Sequence, residues 1–111
     1  MPVTAGFRAY VLEQFGRVLP VTGKSMFGGV GIYTEGLFFA LIADDLVYLK
    51  VDATNREDFE RVGMLPFRPY GEGAVTMQYY ELPGELLEDT EQLRPWLSKA
   101  LVVARSKGKR R

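Results

Sequence analysis

Apolar residues recur along this chain with two different periods. Between residues 4 and 19 the period is helical: Phe7, Val11, Phe15 and Val18 fall near one face, widened by Tyr10, Leu12 and Leu19. Thr4 is placed to cap this helix, and Gly16 and Pro20 bring it to an end. From Lys24 the pattern becomes that of extended chain. Lys24–Tyr33, Leu37–Ala43 and Leu46–Asp52 read as three strands, joined by the turns Glu35-Gly36 and Asp44-Asp45. Connections this short require antiparallel neighbours. The second strand, LFFALIA, is apolar almost throughout, which predicts cover on both its faces. The third alternates, with Val47, Leu49 and Val51 on one side and Tyr48 and Lys50 on the other.

A second helix is predicted from about Thr54 to Val62. Thr54-Asn55-Arg56-Glu57 has the spacing of a capping box, Phe59 and Val62 face inward, and Gly63 suits the left-handed terminus. Pro66–Gly71 reads as a short edge strand broken by Pro69, and Gly71-Glu72-Gly73 as a turn. In the last strand, Ala74–Leu82, Val75, Met77 and Tyr79 alternate with Thr76, Gln78 and Tyr80. A final helix over Asp89–Arg105 carries the stripe Leu93, Trp96, Leu97, Ala100, Leu101 and Ala104, with Pro95 expected to delay or kink its start. The predicted order is α-β-β-β-α-β-β-α: an α+β, two-layer fold with an antiparallel five-stranded sheet and flanking helices. Its expected core holds Phe7, Val11, Phe27, Leu41, Leu49, Val75, Met77, Leu93, Leu97 and Leu101. One domain over residues 1–105, followed by a frayed basic tail at 106–111, accounts for the chain.

Three glycines, Gly28, Gly29 and Gly31, interrupt the first strand. Glycine in a strand marks a bulge, a bend or a close approach, such as a helix lying directly on the strand. A phosphate-binding loop is the competing explanation, but it needs a helix N-terminus after the glycines. Here Ile32-Tyr33 continues as strand, and no Lys-Ser or Lys-Thr follows. Asp44-Asp45 has the chemistry of a metal or acid/base pair, yet it sits where a two-residue hairpin connection belongs.

Composition narrows the function classes. The chain has neither cysteine nor histidine, which removes disulfides, thiol nucleophiles, Cys/His zinc sites and histidine general bases. The carboxylates Glu57, Asp58, Glu85, Glu88 and Asp89 lie where helix starts and solvated faces favour acids. No enzyme activity, cofactor or metal is expected. Formal charge is zero, from 14 basic and 14 acidic residues. Arg105, Lys107, Lys109, Arg110 and Arg111 supply five of the basic ones, leaving nine against 14, or −5, for residues 1–104. The folded body should therefore repel nucleic acid, and the tail should bind DNA at most weakly. A nucleic-acid-binding protein using that tail is the alternative to a protein-interaction role. Met1–Gly6 lacks the marks of a signal peptide, and no apolar run is long enough for a membrane span. A cytoplasmic location, away from membranes, is expected.

Several stretches together resemble a known family. They are KSMFGGVGIY with its meander, Asp52-x-x-Asn55, Gly63-x-x-Pro66-Phe67 and Met77-x-Tyr79-Tyr80-Glu81-x-Pro83. Glu88-Asp89 ahead of the last helix and Trp96 within it add to them. From about residue 7 to 105 the chain is similar to the N-terminal domain of the TfoX/Sxy family, regulators of natural competence genes that act with the catabolite-activator protein. The resemblance implies a secretion-chaperone-like α-β(3)-α-β(2)-α fold, transcription regulation, and a protein partner, with a transcription factor among the candidates. It implies no catalytic residues. Regulators of this kind carry a second, C-terminal domain, so the chain is expected to be a stand-alone form of the first.

The sheet face away from the helices is the expected interaction surface, with a homodimer as its expected use. Alternation places Phe38, Tyr48, Lys50, Thr76, Gln78 and Tyr80 there, an aromatic patch rimmed by polar groups.

Overall fold

A computed structural model describes residues 3–26, 28–68 and 76–109, without the side chains of 76, 77 and 107–109. Helix α1 (Ala5–Gly16) opens it, and buries Val11 and Phe15. Its start is tied to the sheet. Thr4 Oγ1 accepts from the Phe7 N–H, while Asp45 accepts from the Thr4 N–H at 2.9 Å and from its hydroxyl at 3.0 Å. Strands β1 (Thr22–Met26), β2 (Gly29–Thr34), β3 (Leu37–Ala43) and β4 (Leu46–Lys50) follow. Helix α2 (Arg56–Arg61), the two-residue β5 (Pro66–Phe67), β6 (Thr76–Glu81), a 3₁₀ segment (Gly84–Glu88) and α3 (Thr90–Lys109) complete it. The strands form one antiparallel sheet in the order β1-β2-β3-β4-β6-β5.

The sheet has six strands, not five. Lys24–Tyr33 is a hairpin rather than one strand: β1 ends at Met26, the chain reverses, and β2 starts at Gly29. Gly28 has φ +79°, a conformation that glycine takes without steric cost, and this turn is what the glycine run provides. The Asp44-Asp45 connection has positive φ at both residues, 54° and 56°, the signature of the tight turn that matches the twist of a hairpin.

All helices pack on one side. Val11 and Phe15 of α1, Phe59 of α2, Leu86 and Leu87 of the 3₁₀ segment, and Leu93, Leu97, Ala100 and Ala104 of α3 share one buried cluster with Ile32, Phe39, Ile42, Leu49 and Tyr80 of the sheet. Phe7 and Trp96 are partly buried against it, and Trp96 meets Phe59 edge-on at 4.8 Å. Leu101 is half-buried rather than central. Phe27 and Val75 lie outside the described residues, as does the Met77 side chain.

One local prediction fails for an identifiable reason. Thr54 does not form a capping box, because Asp52 captures both its N–H and its hydroxyl. The buried Asn55 takes over the helix approach, accepting from the Asp52 N–H and donating to the Lys50 carbonyl, so α2 begins only at Arg56. Pro95 lies inside α3 without delaying its start, since the helix runs from Thr90 through Lys109. Asp89 Oδ1 accepts from the Gln92 N–H at the start of this helix. The predicted Pro66–Gly71 strand shrinks to β5, with 69–75 outside the described residues.

Candidate functional site

On the face opposite the helices, a second apolar cluster forms from strand residues alone: Ala43, Phe67 and Tyr79 at its centre, with Phe38, Leu41 and Tyr48 half-buried around them. Its position follows from β4. Val47 and Leu49 point into the helix layer, so Tyr48 and Lys50 point out. Cross-strand register then places Tyr79 beside Lys50 and Glu81 beside Tyr48. The ring contacts fall into two groups, a trio and a pair, joined within the apolar cluster. Phe38 stacks on Tyr33 at 5.2 Å and meets Tyr79 at 5.8 Å, while Tyr48 meets Phe67 at 4.7 Å. Lys50 lies over both Phe38 and Tyr79 and donates to the Tyr79 hydroxyl at 3.1 Å. Lys24, on edge strand β1, lies over Tyr33 at 5.1 Å.

The structure corrects the predicted surface. Phe38, Tyr48 and Lys50 lie where alternation put them. Tyr80 does not: it is 2 % exposed in the helix-side core, and its hydroxyl donates to Glu60 at 2.9 Å. Its register partner is the core residue Leu49, which fixes its side of the sheet, and Tyr79 takes the outward place. Gln78 is exposed and its carbonyl accepts from the Val51 N–H, but it belongs to no part of the apolar cluster. The Thr76 side chain lies outside the described residues. Leu41, expected in the core, also faces outward. The cause is a bulge: Ile32 pairs with Ala40 but Tyr33 pairs with Phe38, leaving Phe39 without an opposite number. One extra residue lets Phe39, Ala40 and Ile42 all enter the core while Phe38 and Leu41 leave it.

The electrostatics follow from partial burial. Burial pushes the Tyr79 phenol up to about 12, with Tyr33 the second cause. Burial, then Glu81 and Asp44, raises the Tyr48 phenol as well, and burial raises the Glu81 carboxyl. With the folded-state value of Tyr79 above the unfolded 10.0, its contribution to stability is present below pH 10 and lost as pH rises toward 12. A phenolate absorbance titration of wild type minus Tyr79→Phe should show one phenol ionising near pH 12. A difference centred at pH 10 would show that Tyr79 is solvated.

Elsewhere, a cavity of about 270 Å³ lies between α2 and α3, lined by Asp58, Arg61, Val62, Pro95, Trp96 and Lys99. Its charges are already spent on each other: Asp58 pairs with Lys99 at 2.7 Å and with Arg61 at 3.4 Å. The Lys99 contact holds the Asp58 carboxyl below the usual carboxylate range. Among the described residues, no group of three acidic side chains could hold a metal ion, and no helix is long and apolar enough to cross a membrane.

The predicted tail is also changed. Helix α3 continues through Lys109, and Arg105 reaches Glu35 in the β2–β3 turn at 3.4 Å. The side chains of Lys107 and Lys109, and Arg110 and Arg111 entirely, lie outside the described residues.

None of the curated proteins matches the chain. The family of the TfoX N-terminal domain matches residues 13–104, from the last turn of α1 into α3. That span takes in the whole sheet with its open face, and this chain belongs to the TfoX N-terminal domain family.

Proposed function

We propose that this chain is a non-enzymatic, regulatory protein-interaction module that docks a protein on its open sheet face. One observation carries the reading: a strand-only apolar cluster, Phe38, Leu41, Ala43, Tyr48, Phe67 and Tyr79, lies on the side of the sheet opposite the described helices, with Tyr33 stacked on Phe38 at its margin. Tyr33, Phe38, Leu41 and Tyr48 stay partly exposed around the buried Ala43, Phe67 and Tyr79, and grouped apolar residues at a surface mark interfaces; tyrosine suits them because the ring buries area while the hydroxyl keeps a polar partner. Lys24 and Lys50 over the rings, with Glu81 beside Tyr48, supply the polar rim. A regulatory role in a cytoplasmic setting agrees with the family, whose competence regulators act through another protein, and with a chain free of cysteine.

The test is a photo-crosslinking phenylalanine analogue at Tyr48, expressed in the source cells, with the same probe at Val102 as control. Val102 is 58 % exposed on the outer side of α3. Discrete protein adducts should form from position 48 and not from 102. No adduct at 48, or the same adducts at both positions, would exclude docking on this face.

A further inference from the structure

Strand β1 ends the sheet on one side and β5 ends it on the other. The two edges differ. β5 has two residues, one of them Pro66, too little main chain to seat another strand. β1 has five, Thr22–Met26, and its Thr22, Lys24 and Ser25 are exposed. Which of its main-chain groups are free follows from the register. Met26 and Gly29 are the partners that close the short β1–β2 hairpin, so their main-chain groups face each other. Alternation back along the strand turns Lys24 and Thr22 toward β2 as well. Gly23 and Ser25 therefore direct their N–H and C=O groups outward, away from β2. A row of such groups is a template for a further strand.

Two side chains stand in the way. Arg8 of α1 donates from Nη2 to the Gly23 carbonyl at 3.2 Å, and a strand laid along β1 would need that same carbonyl as an acceptor. Arg8 holds it although its own Nε is buried without a partner among the described residues, a cost that an apolar side chain there would not carry. Lys24 is the second. When two copies of β1 pair antiparallel about a two-fold axis at Lys24, Gly23 of each exchanges both hydrogen bonds with Ser25 of the other. That axis also sets the two Lys24 residues directly opposite, about 4.5 Å apart at Cα, where like charges repel. We infer that the β1 edge is a strand-pairing surface for a second copy of the chain, held shut by Arg8 and Lys24. With both removed, two sheets join edge to edge into one. The assembly closes at two chains, because β5 is then the edge left on each copy. This joint runs along the rim of the sheet and is separate from the docking role of the open face.

The experiment is sedimentation equilibrium on wild type, on the double variant Arg8→Met with Lys24→Thr, and on that double variant with Ser25→Pro added. The double variant should self-associate at least about tenfold more tightly than wild type. Ser25→Pro removes an outward N–H while leaving the β1–β2 ladder whole, and should return association to the wild-type level. A double variant that associates no more tightly than wild type, or whose association survives Ser25→Pro, would overturn the inference. Should Arg8→Met unfold the chain, Lys24 remains open to test, because it is exposed and outside the core. An equimolar mixture of wild type with Lys24→Glu should then associate about threefold or more tighter than either protein alone, since a lysine meets a carboxylate across the axis. A mixture that behaves like its components would also overturn the inference. Amide hydrogen exchange locates the joint. The Ser25 amide should exchange freely in wild type and become protected in the double variant, whereas protection already present in monomeric wild type would show that this edge has no free donors to guard.

Discussion

Truncating Leu97 to alanine should lower the unfolding free energy by about 2–5 kcal/mol, out of the roughly 5–15 kcal/mol typical of a domain. Leu97 is fully buried on the inner side of α3, in the cluster that joins that helix to the sheet. Helix α3 reaches both β3 and β4, so a void there sits between layers rather than at an edge. The loss has two parts: transfer energy of the removed atoms, and the cavity that a close-packed interior cannot fully close. Urea melts should show a lower midpoint with an unchanged slope, and the thermal midpoint should fall by about 10 °C or more. Val102→Ala on the same helix is the control. It is 58 % exposed, and should stay within about 0.5 kcal/mol of wild type. A cost below about 1 kcal/mol for Leu97→Ala would mean that α3 is not packed as described.

The contrast between those two positions was legible in the sequence, because a long amphipathic helix repeats its signal over several turns. The same holds for α1 and β4, where Val11, Phe15, Val47 and Leu49 are buried as their spacing implies. Legibility failed where one residue decides. Nothing polar separates β1 from β2, so the hairpin at Gly28 looks like a continuous strand. The bulge at Phe39 leaves no compositional mark in LFFALIA, since either choice of inward set is apolar. In β6 the doublet Tyr79-Tyr80 offers two equally aromatic candidates, and only pairing with Lys50 and Leu49 assigns one to each face. A one-residue slip exchanges faces, which is why Phe38, Tyr48 and Lys50 lie on the face that alternation gave them and Tyr80 lies on the other. The candidate site thus depends on register, a property of strand pairs that no single strand encodes. Leu41 and Glu81 were findable only by counting outward from Tyr48 across both of its neighbours.

Register also governs the second large effect, expected at Gly29. A Cβ built there would stand 2.5 Å from the Ile42 carbonyl oxygen, a backbone atom of the neighbouring strand. No rotamer change can relieve that contact. Either β2 and β3 move apart, straining the ladder that continues at Val30–Ile42, or the β1–β2 turn shifts. Gly29→Ala should therefore cost about 1–3 kcal/mol, and Gly29→Val more, as overpacking against an immobile neighbour. Gly31 makes the comparison informative. Its added Cβ would come within 2.8 Å of the Met26 terminal methyl, and 3.1 Å of its sulfur and of the Phe38 ring. Methionine is flexible and can swing aside, so Gly31→Ala should cost less than Gly29→Ala. Neither change should alter nucleotide affinity, because these glycines serve a hairpin and a strand contact instead of cradling phosphate. Thermal melts of the two alanine variants, with and without ATP, check both claims. Equal destabilisation would show that β3 yields as easily as a methionine tip. Saturable ATP binding abolished by Gly29→Ala would return this stretch to ligand chemistry.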